Sequence, residues 1–267
     1  MNLHEQVRRL EIRQKLYTDD PDTLPEAVKI DALYQWNIWG KFGRDPMQLP
    51  DEGEFKGLVE GVESNRLMLN VEQWAPHNTS NFIETDDEKD AIGRLVKMIE
   101  WVRDVRPDLN VGYYRTPLRD YWGAIGSVPD QYDAWLAAND RLKPVIDASD
   151  SLYVSVYTLY EDSEKNRDRW KQYATANVNE AIRVASGQEI VVAFWQRYHP
   201  GSVSSDIGRQ PIPADWFREQ VEHVEAMQVD GLMFWDSQDW YVSKYGADRV
   251  DDNHPTRQAL RDWRNGI

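Results

Sequence analysis

The residues best suited to chemistry lie in one short stretch, residues 67–76, which reads LMLNVEQWAP. If this stretch is a strand, its side chains alternate between two faces, with Asn70, Glu72 and Trp74 sharing one of them. Enzymes built on parallel β/α barrels place their acids and bases at the carboxyl ends of strands. Glycoside hydrolysis needs such a carboxyl group, and a neighbouring ring offers a surface to a sugar. We therefore predict Glu72 as a general acid/base, with Asn70 and Trp74 as substrate-binding residues.

A second carboxylate, Asp236, directly follows Trp235 near the end of another strand candidate. It is predicted as a second catalytic residue, acting as nucleophile or base. Strand alternation, however, places its side chain on the face opposite Trp235. A loop or helix-capping role is the alternative. If both carboxylates act, a separation of about 5 Å indicates a retaining reaction and roughly 6.5–9.5 Å an inverting one.

Strand and helix patterns alternate along most of the chain. Residues 3–17 resemble a charged amphipathic helix, and the stretch from Thr18 to Pro25 has the composition of a loop. The strand candidates are Ala32–Trp39, Arg66–Trp74, Asn110–Thr116, Ser151–Thr158, Glu189–Tyr198 and Gly231–Asp236. The helix candidates are Asp86–Val105, Pro129–Asp147, Glu164–Ala185, Pro213–Met227 and about Pro255–Arg264. We expect an amino-terminal helix and loop over residues 1–25 and one barrel domain over residues 26–267.

The strand ends recur at near-constant intervals of 36 to 43 residues. This regular β-α repeat favours an α/β fold of the TIM-like barrel type over a doubly wound sheet. Six strands are identified where a barrel needs seven or eight, so the connections Lys41–Asn65 and Ser237–Asn253 are the predicted places for the others. Strand alternation then directs a group of polar and aromatic side chains into one barrel mouth: Asn70, Glu72, Tyr114, Tyr157 and Trp235.

Composition narrows the range of partners. The formal net charge of -15 argues against nucleic acid, and the absence of cysteine excludes disulfides and thiolate chemistry. No apolar run has the ~18 residues of a membrane helix, and the first 15 residues lack the apolar core of a secretory signal. We expect a soluble protein that acts on carbohydrate without a cofactor, in the cytoplasm or exported after loss of a leader.

His77, His199 and His254 lack metal-ligand spacing, so a metal-dependent hydrolase is the weaker enzyme alternative.

Five segments, in order and in register, resemble the hyaluronidase family of glycoside hydrolases. The family's Asp-Trp-Glu-x-Trp-Arg-Pro resembles residues 70–76, and its Gly-Tyr-Tyr-x-Phe-Pro segment resembles residues 112–117, with Tyr121 beyond. Residues 151–157, 195–197 and 231–237 resemble its later strand ends. Chitinase-like barrels share part of the pattern, so the broader group is also similar.

The resemblance implies a retaining mechanism assisted by the N-acetyl group of the substrate, with Glu72 as the acid and then the base. It also implies substrate contacts by Tyr114, Tyr121, Tyr157 and Trp235. Arg197, like Arg115 and Arg119, is expected near an acidic sugar, unless these arginines pair with the many acidic residues. The sequence departs from the family at Asn70, where the family has an aspartate. A glycan-binding barrel without catalysis is therefore the main alternative.

Overall fold

Parallel strands alternate with helices in the computed structural model, which describes residues 15–18, 27–40, 48–74, 82–120, 123–126, 128–201, 206–236, 238–251 and 253–267. The predictions for residues 3–14 and 19–25, for His77 and for Tyr121 lie outside these ranges. The strands are β1 (Leu16–Thr18), β2 (Val28–Lys29), β3 (Asp31–Tyr34), β4 (Arg66–Asn70), β5 (Asn110–Tyr113), β6 (Ser151–Ser155), β7 (Glu189–Trp195) and β8 (Gly231–Trp235).

Nine helices occur in the same described residues. They are α1 (Gln35–Ile38), α2 (Glu52–Glu60), α3 (Asp86–Val105), α4 (Pro129–Arg141), α5 (Lys143–Ala148), α6 (Glu164–Val184), α7 (Ala214–Glu225), α8 (Gln238–Tyr245) and α9 (Pro255–Asn265). Within the part of the chain that the structure describes, no helix is both long and apolar enough to cross a membrane.

The chain divides into two compact units. The first comprises Met1–Lys29, Ser155–Val178 and Val191–Ile267, and the second comprises Ile30–Val154 and Asn179–Ile190. The prediction of one domain over residues 26–267 stays a prediction.

Strands of the second unit pair in parallel in the order β3-β4-β5. Tyr34 pairs with Asn70 and Leu69 pairs with Tyr113, so the carboxyl ends of the three strands lie at one edge. The start of β6 continues the unit beyond β5 through a bridge between Tyr114 and Tyr153. This close approach depends on Gly112, because a Cβ atom there would lie 2.0 Å from the carbonyl oxygen of Ser151. Helices α2 to α5 cover these strands with an apolar core that includes Phe55, Leu95, Met98 and Val145.

Helix α3 shows why the sequence forms this element where it does. The Thr85 hydroxyl caps the helix by accepting a hydrogen bond from the Glu88 backbone amide at 3.1 Å. Asp86, Asp87 and Glu88 place negative charge in the first turn, which stabilises the helix dipole. Glu88 is buried, and Arg141 donates hydrogen bonds to both of its carboxylate oxygens at 2.8 and 3.1 Å.

In the first unit, parallel strands run in the order β2-β1-β8-β7, and the carboxyl end of β6 follows β7. Gly231 leaves room for Tyr17, whose ring would lie 2.5 Å from a Cβ atom at that position. Phe217 of helix α7 packs against Phe194 of β7 and Phe234 of β8, and the three ring centroids lie 5.6 to 6.2 Å apart. These aromatic contacts form much of the core of the unit.

The α/β prediction is confirmed, and all six predicted strands are present. The strands end earlier than predicted, since residues 35–38 form helix α1 and residues 72–73 form a turn. The predicted helix over residues 3–17 was wrong at its end, where Leu16–Thr18 form β1 and are buried on β8. The described parts of Lys41–Asn65 and Ser237–Asn253 contain helices α2 and α8 and no strand. Residues 41–47, 237 and 252 lie outside the described ranges, so the expectation of further strands in these connections stays a prediction.

Candidate active site

Glu72 follows the carboxyl end of β4 in a tight turn, two residues after Asn70. Leu67, Leu69 and Val71 are buried, as strand alternation predicts for the face opposite Glu72. The side chain of Glu72 is 38% exposed. A partly exposed carboxylate is therefore available at the edge where β3, β4 and β5 end.

Arg115 is the ionic partner of Glu72. Its Nη1 atom donates a hydrogen bond to Glu72 Oε2 at 3.1 Å. The other carboxylate oxygen, Oε1, accepts no hydrogen bond within the described part of the chain. Within these residues, Glu72 is thus held by Arg115 at one of its two oxygens.

The backbone of Arg115 is left-handed, with φ of +64°, a conformation that costs a non-glycine residue about 1–3 kcal/mol. The Arg115 amide donates to the carbonyl of Tyr153 at 3.0 Å, which fixes this turn against β6. Strained backbone of this kind is common where a side chain must be aimed. Here it directs a guanidinium group at Glu72.

Trp74 lies two residues after Glu72, Tyr114 follows the end of β5, and both rings are buried. Trp74 is fully buried, with its ring edge-on to Trp39 at 5.4 Å and the guanidinium of Arg94 over it at 5.4 Å. Tyr114 is also buried, and its hydroxyl accepts a hydrogen bond from Arg119 at 3.2 Å. Their burial favours a role in supporting the Glu72 turn; direct sugar contact by either ring stays a prediction.

A second group of predicted residues lies in the first unit, where four rings form an aromatic cluster of Tyr157, Trp195, His199 and Trp235. Trp195 and Trp235 pair across β7 and β8, with ring centroids 5.1 Å apart. Tyr157 stacks on Trp235 at 6.2 Å and on His199 at 6.3 Å. Tyr157, His199 and Trp235 are partly exposed, so the cluster presents aromatic surface to solvent.

Asp236 and Arg197 form an ion pair in which both side chains are 0% exposed. Arg197 Nε donates to both oxygens of Asp236, at 2.9 and 3.0 Å, and Trp195 Nε1 lies 3.4 Å from Oδ1. The guanidinium also donates from Nη1 to the backbone carbonyls of Arg209 and Asp248. This geometry favours a role for the pair in fixing the ends of β7 and β8. The predicted catalytic role of Asp236 and substrate contact of Arg197 have no support from it.

Two of the described histidines, His199 and His254, use a ring nitrogen in a contact with a neighbouring residue of the chain. His199 Nδ1 accepts a hydrogen bond from the Gly201 amide, and His254 Nδ1 caps α9 by accepting from the Thr256 amide, each at 3.2 Å. Burial lowers the pKa of His254 below its ordinary value, and the charge of Arg197 adds to this effect. Among the described residues no group of three or more His, Asp or Glu side chains is arranged to hold a metal ion.

Sequence reasoning did not find three features of these sites. It named Arg115 for an acidic sugar, with pairing to an acidic residue as the alternative, and did not identify Glu72 as that partner, because a left-handed turn leaves no periodic signal. It also missed the contribution of Trp195 and the exposed ring of Trp36. Trp195 lies two residues before Arg197 on the same strand candidate, so strand alternation places both side chains on one face and could have identified Trp195.

Parallel strands alternating with helices, with polar and aromatic side chains at the strand ends, define the TIM-like (β/α) class of enzyme fold. The chain is similar to bee venom hyaluronidase in its monoclinic crystal form, with a TM-score of 0.62 and 13% identity over 94% of this chain and 96% of that one. Bee venom hyaluronidase in complex with a hyaluronic acid tetramer gives a TM-score of 0.66 and 14% identity over 94% of this chain and 95% of that one. No protein-family model and no curated protein matches the sequence. The chain therefore shares the fold of the hyaluronidase barrels.

Proposed function

We propose that this protein is a glycoside hydrolase in which Glu72 acts as the general acid/base. The observation that carries the proposal is a partly exposed carboxylate at the carboxyl end of a parallel strand, in a fold shared with a hyaluronidase that binds a hyaluronic acid tetramer. This strand end is where barrel enzymes hold their catalytic groups.

The two oxygens of Glu72 have different tasks in this proposal. Arg115 holds Oε2, which limits rotation of the carboxyl group, and Oε1 faces the substrate. Protonated Glu72 gives its proton to the glycosidic oxygen as the bond to the sugar breaks. The resulting carboxylate then takes a proton from the water that completes hydrolysis.

Asn70 is the neighbouring polar group on the same strand, two residues before Glu72 and partly exposed. Its amide has both donors and an acceptor, so it suits a sugar hydroxyl or the acetamide group of an N-acetylated sugar. An amide carries no charge and stabilises a cationic intermediate less than a carboxylate does. We therefore expect slow turnover if the substrate's own acetamide is the nucleophile.

Glu72→Gln tests the proposal because it keeps the shape of the side chain and removes its proton chemistry. Release of reducing ends from a panel of neutral and acidic polysaccharides is measured for the native chain and the variant. Turnover is expected to fall at least about 100-fold, the smallest usual contribution of general acid/base catalysis. Glu60→Gln, at an exposed position at the end of α2, is the matched control and should leave turnover unchanged. Equal activity of Glu72→Gln and the native chain would refute the assignment.

A non-catalytic glycan-binding barrel is the second candidate. It is favoured by Asn70 in place of the family's aspartate and by the ion pair that engages Glu72. It requires saturable glycan binding that is equal in the native chain and Glu72→Gln, with no product at high protein concentration. The same panel therefore separates the two functions.

A further inference from the structure

Trp36 is an exposed tryptophan on helix α1, with 50% of its surface in solvent. Its ring stacks on Tyr34 with centroids 4.5 Å apart and planes within 3°. Tyr34 therefore supports one face of the indole, and the stacked pair is here called the Trp36 platform (Tyr34 and Trp36). A large indole ring left half in water has apolar area available for a ligand.

The platform is held in a fixed position before any ligand arrives. Asn37 Oδ1 accepts a hydrogen bond from the Tyr34 amide at 3.0 Å, and the Trp39 amide donates to the Gln35 carbonyl at 3.0 Å. These bonds close the single turn of α1 that carries Trp36. A ligand that stacks on the ring therefore loses little free energy in ordering the protein.

Two contacts attach the platform to the segment that carries Glu72. Tyr34 pairs with Asn70 in the parallel register of β3 and β4, two residues before Glu72. Trp39, at the end of α1, packs edge-on against Trp74, two residues after Glu72, and its Nε1 atom donates to the Gln48 carbonyl at 2.8 Å. The segment before Glu72 and the segment after it are thus both in contact with the turn of Trp36.

We propose that the Trp36 platform is a sugar subsite, which stacks against the apolar face of a pyranose ring of the glycan whose bond lies at Glu72. This inference deepens the proposed function and rests on it for the identity of the ligand. An indole ring offers a broad flat face to the C–H groups of a pyranose, and the polar Asn37 and Gln35 beside it are compatible with sugar hydroxyls. A subsite away from the scissile bond makes the protein favour longer oligosaccharides over dimers.

The test follows the indole N–H signal of Trp36 by NMR in the Glu72→Gln variant, which cannot turn its ligand over. The probes are the dimer and hexamer of β-1,4-linked N-acetylglucosamine and the dimer and hexamer of β-1,4-linked glucose, and Trp36→Phe in the same background assigns the signal. We expect at least one hexamer to shift the Trp36 signal in a saturable way. We also expect Trp36→Ala to weaken binding of that hexamer about five- to tenfold, as the loss of one aromatic contact does. Trp36→Phe should retain most of the affinity.

Tyr132→Ala is the control, because Tyr132 is 39% exposed on helix α4 of the same unit and belongs to no proposed site. The subsite is refuted if no hexamer shifts the Trp36 signal at millimolar concentration, or if Trp36→Ala binds a hexamer as tightly as its parent. If Trp36 responds to a glycan while native turnover is insensitive to Glu72→Gln, the subsite stands and the proposed catalytic role fails. If Glu72→Gln abolishes hydrolysis of a glycan that leaves the Trp36 signal unaffected, the proposed catalytic role stands and the subsite fails.

Discussion

Removing the carboxylate of Asp236 should destabilise the protein strongly, because its partner Arg197 has no access to water. Both side chains are completely buried, and the two oxygens of Asp236 receive hydrogen bonds from Arg197 Nε at 2.9 and 3.0 Å. Asp236→Ala leaves the guanidinium charge buried without this carboxylate, although the carbonyls of Arg209 and Asp248 still accept hydrogen bonds from it. A buried charge without its counter-ion is poorly solvated in the folded state, so the free energy of unfolding should fall.

Breaking a buried ion pair by removing one partner costs about 3–5 kcal/mol in the free energy of unfolding. With a urea dependence of about 2.5 kcal/mol per molar, the midpoint of urea unfolding should fall by about 1.2–2 M. The double change Arg197→Met with Asp236→Leu removes both charges and should recover much of this loss. Recovery should be incomplete, since methionine cannot donate to the carbonyls of Arg209 and Asp248.

Urea unfolding monitored by tryptophan fluorescence measures these differences. Asp168→Ala, at an exposed position on α6, serves as the control and should change the free energy of unfolding by less than about 0.5 kcal/mol. A loss below about 1 kcal/mol in Asp236→Ala would refute the ion-pair reasoning. An Asp236→Asn variant with native stability and no turnover would instead support Asp236 as the second catalytic carboxylate predicted from the sequence.

Two further predictions concern charged groups. Arg115→Gln should lower turnover about 10- to 100-fold, because Glu72 loses the contact that orients it. Arg115→Lys keeps the positive charge and should restore part of the rate. Unchanged turnover in Arg115→Gln would exclude the positioning role. Burial, with a smaller effect of Lys171, lowers the pKa of His223 below its ordinary value of 6.5. As the pH falls, His223 therefore binds a proton in the unfolded chain before it does so in the folded protein. The stability contributed by neutral His223 is present above about pH 6.5 and is lost as the pH falls below it. Urea unfolding from about pH 7 to about pH 5 should show a smaller pH dependence in His223→Gln than in the native chain, and equal slopes would contradict this origin.

Local signals predicted several elements closely. Helix α3 begins and ends as predicted, at Asp86 and Val105, because Thr85 and three acidic residues mark its start. Helix α2 carried a comparable signal that was not used, since Asp51 Oδ1 caps it by accepting from the Glu54 amide at 2.9 Å. The predicted helix 129–147 is divided at Leu142, and Pro144 explains part of this because it lacks the amide that would continue the helical ladder.

Contacts between distant parts of the chain were not available to the same reasoning. Strand β1 has only three residues, and its burial on β8 and the space provided by Gly231 are tertiary facts. The buried state of Trp74 follows from its packing between Trp39 and Arg94. Strand alternation predicts the face on which a side chain lies, and it does not predict what covers that face.

The sequence by itself determined the alternation of strands and helices, the fold class and the location of Glu72 after a buried strand, because these depend on periodicity and on neighbours in the chain. The tertiary structure decided the roles of the charged partners. Arg115 and Glu72 are 43 residues apart, and Arg197 and Asp236 are 39 apart, yet each pair meets within about 3 Å. Whether a carboxylate can serve catalysis or must balance a buried charge depends on such long-range contacts and on access to water, and folding alone sets both.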